Sequence, residues 1–438
     1  AAVPGDAVVD VAIVGGGFSG LWTAYYLIRH DPTLRIVVLE RDFCGFGASG
    51  RNGGWAVGEL AGSFAKYAKL SSRSESMRLS RAVFDSVDEI GRITTLESVD
   101  CDYAKGGTIY VARNSPQAKR QRQHIESVRE HGFTEDEFRL LDAADASTYL
   151  NATNVQSGVF FGPSAAIDPA KLVRGLANVV EAAGVVIHEQ TQVLKIDGRT
   201  VHTAHGAVRA AHVVRATEAY TRDLKGERRT LLPTYSLMIA TEPLAESLFD
   251  EIGLHDRTTF ADDRHMVIYG QRTADNRIAF GGRGVPYLYG SRINTSAEVH
   301  EPSHELIHET LVDLLPALAG AKVTHRWGGV LGIPRNWVPG LTYDKNTGTG
   351  VLGGYVGEGV AASNLAGRTM AELVTGQDTD RVTLPWVGAT ARKWEPEPLR
   401  WLGVRASRRI LGGADRREDR SDTESALAYR ISRMIRGA

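Results

Sequence analysis

Three glycines in a G-x-G-x-x-G spacing, Gly15, Gly17 and Gly20, sit between an apolar β-branched run, Val8 to Val14, and a helical apolar pattern through Leu21, Ala24, Tyr25, Leu27 and Ile28 that Asp31-Pro32 ends. Strand, glycine turn and helix in that order make an anion-binding corner, because the first N–H groups of a helix have no partner within it and its dipole favours negative charge. Gly15 permits the tight turn, Gly17 lets backbone approach a pyrophosphate past Phe18 and Ser19, and Gly20 lets the helix pack close on the strand. A second apolar run, Arg35 to Leu39, then ends in Glu40, twenty residues past the last glycine, with Arg41 beside it. A carboxylate there accepts both ribose hydroxyls and repels a 2′-phosphate, so the pieces together predict a dinucleotide site that rejects NADP.

The segment after Glu40 chooses between dinucleotides. Phe46 to Trp55 (FGASGRNGGW) is glycine-dense and non-periodic, where an NAD dehydrogenase would begin another amphipathic helix. Such a loop suits a longer cofactor running against backbone at Ala48, Ser49, Arg51, Asn52, Gly53 and Gly54. Here the chain resembles the D-amino-acid-oxidase superfamily of flavoproteins, and within it the branch of gamma-glutamylputrescine, glycine and monomeric sarcosine oxidases, with GFGASGRNGG carrying the closer likeness to the first. Further segments share it: Ala166 to Val173; Gln192 to Ile196, whose Val193 would lie against adenine; Val213 to Thr217, bringing Ala216 and Thr217 to the cofactor; Tyr235 to Leu244; and Leu352 to Ala361. The last would cover the flavin pyrimidine through Gly354, Gly357, Gly359 and Val360, and the likeness runs from about Val8 to Val374. A helix starting there also makes physical sense alone, since its N-terminus would stabilise negative charge on a reduced flavin.

The resemblance implies an α/β fold, a Rossmann-like FAD-binding domain interleaved with an α+β substrate domain built on a mostly antiparallel sheet, and FAD held non-covalently. Residues 1–91, 155–222 and 340–380 are expected to form the first and 92–154 with 223–339 the second, leaving 381–438 as an arginine-rich C-terminal extension. Two positions depart from the family pattern: Glu358 stands where the loop commonly reads G-H-G, and Glu218 follows Ala216-Thr217 where Asn or Gly is frequent. Glu358 would place a carboxylate at the rim of the active site, able to pair with a substrate ammonium.

The implied chemistry is hydride transfer from the carbon of a C–N bond of a small amine or amino acid to flavin, giving an imine, then a carbonyl, and H2O2 with O2 as acceptor. The nitrogen must be neutral when hydride leaves, so no catalytic triad is needed, and none is apparent; nor is any metal-ligand spacing. Arg51 and Trp55 should reach the isoalloxazine neighbourhood, His265, Tyr269 and Arg283 sit on a hairpin expected to roof the flavin, and Arg326 precedes Trp327 and a glycine pair. An arginine could clamp a substrate carboxylate and aromatics could box an aliphatic amine. The plainer reading makes Arg283 and Arg326 ion-pair partners and Tyr269 and Trp327 core.

Composition bounds the rest. The 438 residues, 42% of them hydrophobic, suffice for a large core, and the net charge of −1 supplies no global field for nucleic acid. Cys44 and Cys101 make no disulfide framework, the first residues do not read as a signal peptide, and no apolar run is long enough to span a bilayer, so a cytoplasmic setting without membrane association is expected. Arginines crowd the tail from Arg400 to Arg436, which reads first as a solvated helical surface and second as a site for an anionic membrane or partner. Three alternatives to an amine oxidase stay open: a dehydrogenase passing electrons to a quinone or protein, a biosynthetic flavoprotein acting on an unusual amine, and a non-enzymatic FAD scaffold. Oligomeric state is not legible.

Overall fold

The computed structural model describes residues 2–282, 287–428 and 430–431. The first strand, Ala7–Val14, has its last four residues buried on both faces, which requires a partner on each edge. It pairs in parallel with Ala207–Arg215 on one side and Ile36–Leu39 on the other. Val186–His188 extends the sheet beyond Ile36–Leu39, and Thr349–Gly353 and then Gly340–Asp344 extend it beyond Ala207–Arg215. A hairpin, Val193–Asp197 with Thr200–Thr203, folds antiparallel onto Ala207–Arg215.

Helix Phe18–His30 covers one face of this sheet and is buried nearly all round. Against it lies helix Gly359–Thr375, whose Gly367 brings the two backbones so close that an added Cβ would meet Trp22 Cβ at 2.6 Å. Trp22, Leu21 and Leu27 are fully buried in the resulting core, each contributing roughly 1.5–3 kcal/mol from apolar area removed from water.

The second sheet runs Val323–Pro334, Leu231–Thr241, Ile278–Gly282, Ile268–Arg272, Thr259–Asp262, Thr108–Ala112, Ser157–Phe161 and Phe138–Asp142. Its neighbours are antiparallel apart from the parallel pair Thr259–Asp262 and Thr108–Ala112. Ser157–Phe161, expected to belong with the first sheet through the boundary drawn at residue 155, thus hydrogen-bonds into the second sheet instead. The glycine-dense segment, expected to be irregular throughout, holds a short helix, Ala48–Arg51, and then the strand Trp55–Val57, which pairs with Ser164–Ala166.

The C-terminal extension forms a helix, Leu399–Ser421, docked on the substrate side by its carboxylates. Asp415 accepts the backbone N–H groups of His265 and Met266 at 2.7 and 2.9 Å, and Glu418 pairs with Arg120 at 2.9 Å. Among the described residues no helix is long and apolar enough to cross a membrane.

Candidate active site

The two domains enclose a cavity of about 890 Å³. One end is built on the glycine turn. Gly15 adopts φ +112°, and a Cβ there would lie 2.5 Å from the Ala216 carbonyl oxygen of the neighbouring strand; a Cβ on Gly20 would lie 2.0 Å from the Gly15 carbonyl. No side chain longer than hydrogen fits either place. Helix Phe18–His30 begins at Gly17 without a side-chain cap, Phe18 N–H donates to Ser49 Oγ at 2.9 Å, and the Ser19 and Tyr355 hydroxyls share a 2.9 Å bond. Glu40 accepts from Gly16 N–H at 2.8 Å and from Asp42 N–H at 2.9 Å, while burial pushes its pKa up against those bonds. Arg41 pairs with Asp42 at 2.7 Å and lies 4.5 Å over the Tyr220 ring.

Gly15, Gly17, Phe18, Ser19, Glu40, Arg41 and Val193 line this end. From there the wall continues through Ala48, Ser49, Asn52 and Gly53 on one side and Ala216 and Thr217 on another. Asn52 acts as a staple, donating to the Ala48 and Ser49 carbonyls and accepting from Gly54 N–H at 2.8 Å. Further on the cavity reaches Gly357, Glu358, Gly359 and Val360, where helix Gly359–Thr375 begins, again without a side-chain cap. An elongated cavity flanked by two uncapped helix N-termini fits FAD: the turn at Gly15–Gly20 would hold the pyrophosphate, Glu40 the ribose, and the second helix the flavin edge that gains charge on reduction. Cys44 does not line the cavity; it packs behind the turn, 2.8 Å from where a Gly16 Cβ would be, and burial pushes its thiol up to about 12.

The other end is aromatic and acidic. Trp55 donates from Nε1 to the Gly270 carbonyl at 3.1 Å and meets Tyr110 and Tyr269 edge-on, with ring centroids 6.3 and 5.9 Å away. The Tyr269 and Ser236 hydroxyls share a 2.6 Å bond. Burial drives the Tyr110 phenol well above its ordinary pKa, and the neighbouring carboxylates Glu59, Glu358 and Asp263 push it further in the same direction. All three carboxylates line the cavity. Among the described residues, the arginines that line it are paired: Arg120 with Glu418, Arg264 with Asp262 and Arg41 with Asp42.

Comparison with known proteins agrees with this geometry. The model of the DAO family, described as FAD dependent oxidoreductase, matches residues 10–373. The chain belongs to the DAO family of FAD-dependent oxidoreductases. It is 31% identical over 381 residues to the gamma-glutamylputrescine oxidoreductase of Escherichia coli strain K12, with 85% of this chain and 84% of that protein covered. To the sarcosine oxidase subunit beta of an Arthrobacter species it is 22% identical, covering 86% and 89% of the two chains. Its fold superposes on the crystal structure of glycine oxidase from Geobacillus kaustophilus with a TM-score of 0.71 at 20% identity, covering 89% of this chain and all of the other.

Within the DAO frame, several expected site residues stand apart from the cavity. Arg51, last in its short helix, does not line the cavity: its largely buried guanidinium donates to Glu298 at 2.5 Å and to the Tyr220 hydroxyl at 3.3 Å, bracing the glycine-dense segment against the turn Thr295–Val299. Arg326 lies on the exposed start of the edge strand Val323–Pro334, paired with Glu305 at 3.6 Å, while its neighbour Trp327 donates to the Arg51 carbonyl at 3.0 Å. Gly20, Gly54 and Gly354 shape the wall from behind without lining it. His265 reaches the cavity rim, but its Nε2 lies 3.1 Å from Glu418 and its backbone is held by Asp415. These three residues bring potential ligand atoms within 4.8 Å of one another, yet each carboxylate already serves Arg120 or backbone N–H groups. Arg283 lies outside the described residues.

The departure at Glu218 finds a structural reason. Its carboxylate accepts from Gly332 N–H at 2.9 Å and from Gly354 N–H, tying the substrate sheet to the loop before the second helix. Glu59, Tyr110, Ser236 and Asp263 are among the cavity residues the sequence did not single out. Tyr110 carried one usable signal: it places a phenolic hydroxyl inside an otherwise β-branched, apolar strand pattern, TIYVA.

Proposed function

We propose that this chain oxidises a small amine at its carbon–nitrogen bond, using non-covalently held FAD and O2, in the cytoplasm. The observation that carries this reading is the substrate end of the cavity, with Trp55, Tyr110 and Tyr269 as walls and Glu59, Asp263 and Glu358 as charge. Carboxylates attract an ammonium into the cavity, and aromatic faces hold a cation or its alkyl stem. With the described lining arginines all paired, recognition rests on the amine more than on an α-carboxylate, so a plain amine is favoured over an amino acid. The substrate nitrogen sheds its proton before the bond to hydrogen breaks, because only a free lone pair can develop into the C=N bond. Bound FAD supplies the hydride acceptor; reoxidation by O2 would give H2O2, and water would convert the imine to a carbonyl with release of ammonia or an amine. The E. coli relative is named for gamma-glutamylputrescine, an amine-bearing compound, in keeping with oxidation at a carbon–nitrogen bond.

The test is reduction of the yellow protein under argon by a panel of primary amines, N-methyl amino acids and amino acids. Bleaching by amines, followed by peroxide in air, is the expected result; bleaching by none of them sinks the proposal. A bleached flavin that ignores oxygen and reduces a quinone or dye makes the chain a dehydrogenase. Denaturation with acid should release free FAD, as expected with no thiol facing the cavity from Cys44.

A further inference from the structure

The C-terminal helix has two unlike faces. Inward, Asp415 and Glu418 grip the loop at His265 and Arg120, and Asp419 accepts from Asn114 at 3.2 Å. Outward, at about 100° per residue, Arg405, Arg409, Arg416 and Arg420 fall within about 60° of one another along roughly 22 Å of helix, and Leu402 shares their sector. Arg417 and Leu399 lie about 60° further round. No carboxylate falls within that sector, and among the described residues none of these guanidiniums has a carboxylate oxygen within 4.0 Å. Leu399 is 63% exposed and Leu402 52%, and Arg405 stacks on Trp401 at 4.3 Å.

We propose that this face docks the enzyme on an anionic phospholipid bilayer. A helix that merely faces water gains from mixing charge signs through i,i+4 pairs, whereas this one buries Asp415 and Glu418 and commits Asp419, on its flank, to Asn114. Guanidiniums alone would suit any polyanion, but exposed leucines in the same stripe gain nothing from nucleic acid. At a membrane the arginines meet phosphate headgroups while the leucines enter the acyl boundary. Since the whole molecule carries a net charge of only −1, attraction would come from this local patch and weaken with salt. Arg120 and His265, held by the inner face, line the cavity, so a docked bilayer would lie about one helix diameter, roughly 10 Å, from the active-site wall.

The experiment is co-sedimentation of the FAD-loaded full chain with vesicles of phosphatidylcholine alone or mixed with phosphatidylglycerol. Binding to the anionic vesicles only, falling as salt rises, is expected. The combined variant Arg405→Gln, Arg409→Gln, Arg416→Gln and Arg420→Gln should lose about 600-fold in partitioning, at roughly fivefold per arginine. Leu399→Ser with Leu402→Ser should lose several-fold. Flavin content and amine turnover in solution should match the parent in both, which separates lost docking from lost folding. Equal binding to neutral vesicles, no binding to either kind, or undiminished binding by the arginine variant overturns the proposal. So does tight binding to duplex DNA that ignores the leucine change while anionic vesicles fail to bind.

Discussion

At the cofactor end of the cavity, Gly15, Gly17, Glu40 and Ser49 come from one short stretch of chain and meet around the backbone of the glycine turn, whose N–H groups donate to Glu40 and Ser49 and whose glycines leave no room for a side chain. At the substrate end, Trp55, Tyr110, Asp263, Tyr269 and Glu358 come from segments far apart in sequence and meet through their side chains. The first end is a constraint on chain path, the second a consequence of how two sheets were brought together. A local constraint leaves its mark as a spacing of residue types; a converging set leaves almost none. The two ends should accordingly answer to mutation in different ways.

The harshest test of this contrast is Gly15→Ala, which adds a Cβ 2.5 Å from the Ala216 carbonyl at φ +112°. Strain of about 2–3 kcal/mol translates into FAD affinity weakened roughly 30- to 150-fold, so the variant should purify nearly colourless. Gly226→Ala, also at positive φ but with nothing within 4 Å, should keep its flavin and isolates the clash from the backbone preference.

Comparable in size is the tie between the two ends. Glu218→Ala leaves the Gly332 and Gly354 N–H groups without their acceptor and should lower unfolding free energy by about 2–4 kcal/mol in chemical denaturation. Glu218→Gln, keeping one acceptor oxygen, should fall between the two. Equal stability of all three proteins would show that the domains are held together by packing alone.

Changes at the substrate end should spare the cofactor. Glu358→Gln removes a charge facing the aromatic wall and should raise KM for a cationic amine about tenfold while FAD content stays full. An unchanged KM would remove Glu358 from substrate recognition. The smallest expected effect lies at the sheet's outer corner, where Arg35 beside Asp10 holds that carboxyl down at about 2 from an ordinary 3.8. A depressed carboxylate stabilises the fold above its unfolded pKa, and this contribution disappears as pH falls through about 2. Asp10→Asn should therefore lower Tm by less than about 2 °C near neutral pH, with the gap to the parent closing in strong acid.

How much of the site could be read in advance obeys the same division. The strand Ala7–Val14, the helix Phe18–His30 and the second helix at Gly359–Thr375 lie where their apolar periods and glycine punctuation put them, within a residue or two. Of the residues expected at the substrate end, Trp55, Tyr269 and Glu358 line the cavity, His265 reaches it only at the rim, and Arg51 and Arg326 turn away from it. Neighbours on a strand face opposite sides, and which side meets the cavity depends on the sheet's partner, which residue types do not state. The C-terminal helix makes the point again. Its arginines are plain in the sequence, yet their gathering on one exposed face depends on inward carboxylates finding Arg120 and the backbone at His265.

Residue order alone thus dictated the path of the chain around a dinucleotide, since a backbone forced into close approach tolerates only glycine and betrays itself by spacing. Which side chains face the substrate and which face the surroundings was settled only on folding, because those directions are set by contacts between residues the chain keeps far apart.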